Sequence, residues 1–204
     1  MVKASWEPAQ DGESGLAGYS IVWDTSPDTL PDDTVNLGAD ATEAESAQLA
    51  DGNSHYFHIR SGDVAGNWCD TAVHIGPFWI DTTPPTLVTD LRSTSHEIET
   101  CSADAVVQLA WTSATDESSG LKGYWILWDT SPDTLPDGTV EIGPDVTIHA
   151  STELPDGKDH YFHIRSVDNV GNTLDEAVHI GPFYIDTTGD GSAEHVASNR
   201  CLVK

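Results

Sequence analysis

The stretch GYWILWDTSPDTLPDG, Gly123 to Gly138, decides how this chain folds. Its first six residues are aromatic and aliphatic, and they alternate between two faces as a half-buried strand does. Pro132 and Pro136 then rule out a helix. The Asp residues beside them suit turns closed by side-chain-to-backbone bonds. A strand running into a proline-stiffened loop is the reading. The same reading returns at Gly18 to Asp33 as GYSIVWDTSPDTLPDD.

Working outward, Trp6–Thr83 aligns with Trp111–Thr188 without a gap, at an offset of about 105 residues, with about two-thirds of positions identical. WDTSPDTLPD, HYFHIRS (His55–Ser61, His160–Ser166) and AVHIGPF (Ala72–Phe78, Ala177–Phe183) match completely. Two tandem copies of one domain are expected, spanning 1–83 and 84–188, with 189–204 a tail or the start of a further repeat. Asp81-Thr82-Thr83-Pro84-Pro85-Thr86 joins them as a short, stiff linker. Copy two has a lead-in, Leu87–Val107, that copy one lacks, so the first copy is expected to miss its first strand. That should leave an open sheet edge, an edge covered by Gly189–Lys204 of a neighbouring chain, or a unit less stable than copy two.

Every signal inside a copy is β. VVQLAW, HYFHIRSV and AVHIGPFYI are short, aromatic and β-branched, and DESSG, LPDGKD and DNVGN separate them as turns. No segment sustains a 3.6-residue period. About seven short strands in about 100 residues read as an all-β sandwich. Alternation puts Tyr19, Ile21 and Trp23 on one face, and His55, Phe57, Ile59 and Ser61 on the core face of their strand. Tyr56, His58 and Arg60 are left to solvent.

Composition narrows the function classes. With 8 Lys+Arg against 34 Asp+Glu the net charge is −26, which excludes a phosphate-polymer partner. No apolar run approaches the roughly 20 residues of a membrane span. The opening MVKASWEPAQ carries no apolar signal core. So strong an acidic excess, with Lys so scarce, suits life in high salt, where screening relieves self-repulsion. Cys69, Cys101 and Cys201 form no C-x-x-C pair, and three unpaired thiols are expected.

A Trp on the second strand, GY-x-(I/L)-x-W on the third and L-x-D-G-x-x-H before the sixth resemble the fibronectin type III fold. The chain looks most like bacterial extracellular repeats ending in D-T-T-P-P. The resemblance implies two tandem fibronectin type III/immunoglobulin-like sandwiches of a secreted or cell-surface protein. Its implied role is a non-catalytic spacer or adhesion module, with neighbouring repeats, a surface protein or a glycan as partners. A carbohydrate-binding accessory module of an exported hydrolase is the alternative. At the corner the family has Tyr; here His55 and His160 stand there, so an imidazole N–H is expected to take the hydroxyl's place.

Candidate sites follow. In a sandwich of this kind the loops after the second and sixth strands meet at one end. That would gather Asp11, Glu13, Asp63 and Asn67 in copy one, and Asp116, Glu117, Asp168, Asn169 and Asn172 in copy two. Hard oxygen ligands of this kind suit Ca²⁺; the same Asp-x-x-Gly-Asn pattern is also a plain turn with Gly supplying positive φ. Asp186-Thr-Thr-Gly-Asp190-Gly191 resembles the start of a calcium loop but has Ala197 where the last acidic ligand belongs. His58 could meet His74 across strands, and His163 could meet His179; cross-strand packing is the default there. Trp68, Trp125, Tyr56, Tyr161, Trp79 and Tyr184 are candidates for sugar stacking. No G-x-S-x-G, H-E-x-x-H, P-loop or dinucleotide turn occurs, so no catalytic role is expected.

Overall fold

The computed structural model describes residues 1–138 and 142–188. Its regular structure there is all strand, with no helix. The chain divides into two compact units, with the boundary between Thr82 and Thr83.

The first unit contains β1 (Lys3–Ser5), β2 (Leu16–Asp24), β3 (Leu37–Gly38), β4 (Glu43–Glu45), β5 (Gly52–Asp63) and β6 (Val73–Ile80). They form two antiparallel sheets, β1-β4 and β3-β2-β5-β6. The strand faces read from alternation enclose the core, where Ala4 of β1 packs with Tyr19, Phe57 and Ile59. Trp6 stacks on Phe57 at 5.9 Å, and Trp23 tilts against the same ring at 4.7 Å. Offset and tilted ring pairs of this kind add about 1 kcal/mol each beyond the area they bury.

The second unit contains β7 (Thr89–Ser93), β8 (Cys101–Ser102), β9 (Gln108–Thr112), β10 (Leu121–Asp129), β11 (Ile148–Ala150), β12 (Gly157–Asp168) and β13 (Val178–Ile185). The sheets are β11-β9-β7 and β10-β12-β13-β8, with β8 running parallel to β13. Leu109 and Trp111 face Tyr124, Phe162, Ile164, Phe183 and Ile185 in one apolar core. Both units are thus sandwich-like pairs of sheets around a core. Strands matching β7 and β8 do not occur among the described residues of the first unit, so β6 is an edge there. Val73, Ile75 and Trp79 on that edge are exposed.

One face assignment is overturned. His58 and His163 are fully buried, and the side chains of Arg60 and Arg165 are only 8% exposed. The proline-rich loop after β2 or β10 folds back over the outer face of the sheet and covers them. Pro31 and Pro136 are buried in doing so. Arg165 Nη1 donates to the Pro136 carbonyl at 3.2 Å, and its Nε donates to Leu174 at 2.7 Å. In the first unit Arg60 pairs with Asp33 of that loop and donates to the Cys69 carbonyl. The expectation of three unpaired thiols is also corrected. Cys101 is disulfide-bonded and Cys69 is free and exposed. Cys201 and the tail 189–204, including Asp190, Gly191 and Ala197, lie outside the described residues.

The two histidines before the long strands each bond back to the chain through a ring nitrogen. His55 Nε2 donates to the Ala50 carbonyl at 2.8 Å, and His160 Nε2 to the Pro155 carbonyl at 2.9 Å, each five residues back. These bonds tie the start of β5 and of β12 to the turn before it.

Candidate functional site

The acidic loops at one end of each unit are built by their own backbone. In the first unit Asp11 Oδ2 accepts from Ser14 N–H, Ser14 Oγ–H and Gly15 N–H, at 2.6–3.0 Å. Asp63 accepts from the Asn67 backbone at 2.7 Å and its side-chain amide at 2.8 Å. The two loops touch through Val64 N–H, which donates to the Gly15 carbonyl. Glu13 is exposed.

The second unit repeats the plan with one difference in burial. Asp116 Oδ1 accepts from Ser118 and Gly120 N–H groups. Asp168 is fully buried: Oδ1 accepts from the N–H groups of Val170, Gly171 and Asn172 at 2.6–2.9 Å, and Oδ2 from the Asn172 amide at 2.7 Å. Asn169 crosses to the other loop, donating from Nδ2 to Ser119 and from its backbone to Gly120. Carboxylate oxygens of Asp116 and Asp168 come within 4.8 Å of one another. Glu117 lies in the same loop and is exposed. The two loops meet in each unit, and in the second they bring Asp116 and Asp168 together; Asp11, Asp63, Asp116 and Asp168 each accept bonds from their own turns. A charged carboxylate bonded to several N–H groups needs no cation to be stable.

Hydrogen bonding sets the acidity of these groups. The Asn67 side-chain amide and N–H hold the Asp63 carboxyl below the ordinary aspartate value of 3.8. The Thr187 N–H and hydroxyl do the same at Asp156. A carboxyl with a depressed folded pKa contributes stability above its unfolded pKa and loses it as pH falls through the folded one. Protonation relieves the repulsion of all 34 acids over the same range, so the useful readout is a difference. The wild-type advantage in Tm over Asp63→Asn/Asp156→Asn is expected in full near neutral pH and to vanish by about pH 2. A difference that stays constant from pH 7 to pH 2 would show that charge at these two positions does not matter.

Other candidates sort by geometry. Trp68 and Trp125 are half-buried, each under a guanidinium: Arg60 lies 5.2 Å from the Trp68 ring and Arg165 5.6 Å from that of Trp125. Trp79, 76% exposed, has an open face. A depression in the second unit is bordered by Ala103, Leu154, Asp156 and Thr187. Asp104 and Glu153 also line it, and Asp156 is occupied by Thr187 and the Thr188 hydroxyl. That bond is a feature the sequence reading missed. Asp51 and Asp156 of the L-x-D-G corners each clamp the threonine that follows the last strand, Thr82 or Thr187, by backbone and hydroxyl at 2.7–2.9 Å. The D-G and D-T-T motifs were the available signal, twice repeated at equal spacing.

The cross-strand histidines meet. His58 Nδ1 lies 2.6 Å from His74 Nδ1, and His163 Nδ1 lies 2.6 Å from His179 Nδ1. Behind each buried ring a carboxylate accepts from Nε2, Asp24 at 3.1 Å and Asp129 at 3.0 Å. Burial by itself would raise the Asp24 carboxyl, but the Thr29 hydroxyl, the Ser26 N–H and His58 together hold it below its ordinary value. Exposed His179 is pushed down by burial and by the neighbouring His163. No family model matches the chain, and no curated protein matches it.

Proposed function

We propose that this chain is a non-catalytic spacer or adhesion module of a secreted or cell-surface bacterial protein, built from fibronectin type III-like sandwiches. The observation that carries the reading is how each end of the joint is anchored within its own unit. Thr82 is clamped by Asp51 within the first unit. Within the second, Thr86 exchanges two bonds with Thr115, donating N–H to its carbonyl and accepting its N–H, at 2.9 and 2.8 Å. Three residues remain between those anchors, and two are Pro84 and Pro85. A tether of this composition is stiff rather than flexible. Disulfide bonding at Cys101 supports an oxidising compartment, and the satisfied acids of the loops support a structural use of them.

Releasing the clamp is the test. Asp51→Ala leaves both prolines in place and removes the acceptor for Thr82. Subtilisin is expected to leave the wild-type joint intact and to cut the variant there about tenfold faster, since cleavage follows the opened population and about 1.4 kcal/mol is a tenfold change. Equal cleavage rates at residues 81–86 would remove the basis for a fixed spacer.

Calcium held by Asp116 and Asp168 is the second reading, favoured by the 4.8 Å approach of their carboxylates. Against it, both Asp168 oxygens already accept bonds from the chain itself. A carbohydrate-binding role draws support from the open face of Trp79, while the guanidinium cover over Trp68 and Trp125 works against a shared aromatic platform.

A further inference from the structure

Two imidazole nitrogens 2.6 Å apart cannot both present bare lone pairs to each other. Either one ring donates an N–H to the other, or a metal ion takes both lone pairs. The residues behind the pair help to choose. His58 is fully buried, and its Nε2–H is committed to Asp24, so its neutral ring is left with a lone pair on Nδ1, aimed at His74. His163 is committed in the same way to Asp129. A carboxylate that fixes the tautomer and turns the other nitrogen outward is the usual outer partner of a metal-bound histidine.

We infer that each unit holds a binding site for a borderline divalent transition ion, with His58 Nδ1 and His74 Nδ1 as ligands in the first unit and His163 Nδ1 and His179 Nδ1 in the second. Imidazole nitrogen suits Zn²⁺, Cu²⁺ and Ni²⁺ and discriminates against Ca²⁺ and Mg²⁺, so this site is distinct in chemistry from the acidic loops. Metal–nitrogen distances of about 2.0–2.1 Å require the two nitrogens to stand roughly 3 Å apart. Exposed His74 and His179 can swing outward by that small amount while the buried partners stay fixed. Their exposure leaves the remaining coordination positions to water, so each ion would be held by two protein nitrogens only. Tyr56 stacks on His58 and Tyr161 on His163, at 6.2 and 6.5 Å, which holds the buried rings in plane.

The test uses the full chain, stripped of metal, titrated with Zn²⁺ and with Cu²⁺ by calorimetry. Two equivalents are expected for the wild type, one for His74→Ala and none of that affinity class for His74→Ala/His179→Ala. The substituted residues are exposed, so the variants should keep the wild-type circular dichroism and melt. Asp24→Asn is expected to weaken the first-unit site about tenfold or more. Zinc should also shift the ¹⁵N resonances of Nδ1 in His58 and His163. Uptake of metal by the double variant equal to that of the wild type would overturn the assignment. So would a wild type whose Nδ1 resonances respond to pH alone and not to Zn²⁺, which would leave a shared proton between the rings.

Discussion

Phe162→Ala is expected to lower the melting transition of the second unit by roughly 15–30 °C, the largest effect of any single truncation considered. Phe162 has no exposed surface and stands where the two sheets meet. Trp111 stacks on it at 6.3 Å, Trp128 tilts against it at 5.1 Å, and the His149 ring lies over it at 5.9 Å. Removing the ring forfeits its transfer free energy and leaves a cavity walled by rigid aromatics that cannot collapse. Such deletions cost about 3–5 kcal/mol, and in a domain of this size each kcal/mol is worth about 4–8 °C. Phe57 holds the same place against Trp6 and Trp23, so Phe57→Ala should depress the first unit's transition and spare the second. Differential scanning calorimetry of the two variants reads this directly. A fall of less than about 5 °C for Phe162→Ala would mean that the sheets are not packed through this ring.

Gly181→Ala is the second large effect, and it acts on the backbone. Gly181 has φ of +144°, and a Cβ there would stand 2.6 Å from the His160 carbonyl oxygen and 2.8 Å from the Tyr161 ring. The obstructing oxygen belongs to the neighbouring strand β12, so only a shift of the ladder can relieve it. Strain and overpacking together place the cost at about 3 kcal/mol, a drop on the order of 15 °C. Gly143→Ala is the control, because nothing lies within 4 Å of its added carbon and its φ is ordinary. It should change stability by less than about 0.5 kcal/mol. Equal effects at the two glycines would refute the close approach of β12 and β13 at that point.

Alternation carried much of the architecture. Tyr19, Ile21 and Trp23 share the inner face, as does Phe57 with Ile59, because a two-residue period leaves no freedom once one face is apolar. The cross-strand meeting of His58 with His74 was legible for the same reason, being a matter of register. The burial of His58 and Arg60 was not. Nothing local in HYFHIRS tells that the proline-rich loop some 25 residues upstream returns to cover that face; burial of a sheet's outer side is decided by tertiary contact. The disulfide at Cys101 was hidden by an odd cysteine count.

The candidate acids show a different limit. Their convergence followed from where the turns fall between strands. Their use did not, since a carboxylate that closes its own turn and one that waits for an ion have the same letters. Asp168 is distinguished only by geometry: it is fully buried and accepts three backbone N–H bonds and one amide bond.

The melting temperature of the metal-stripped chain in low salt, with Ca²⁺ at a few millimolar against the same Mg²⁺, tests that reading most directly. A spacer whose loop acids are satisfied by their own backbone predicts the same Tm in both. A calcium-specific rise of about 4 °C or more, corresponding to roughly 1 kcal/mol of binding linkage, would contradict it and make Asp116 and Asp168 ion ligands.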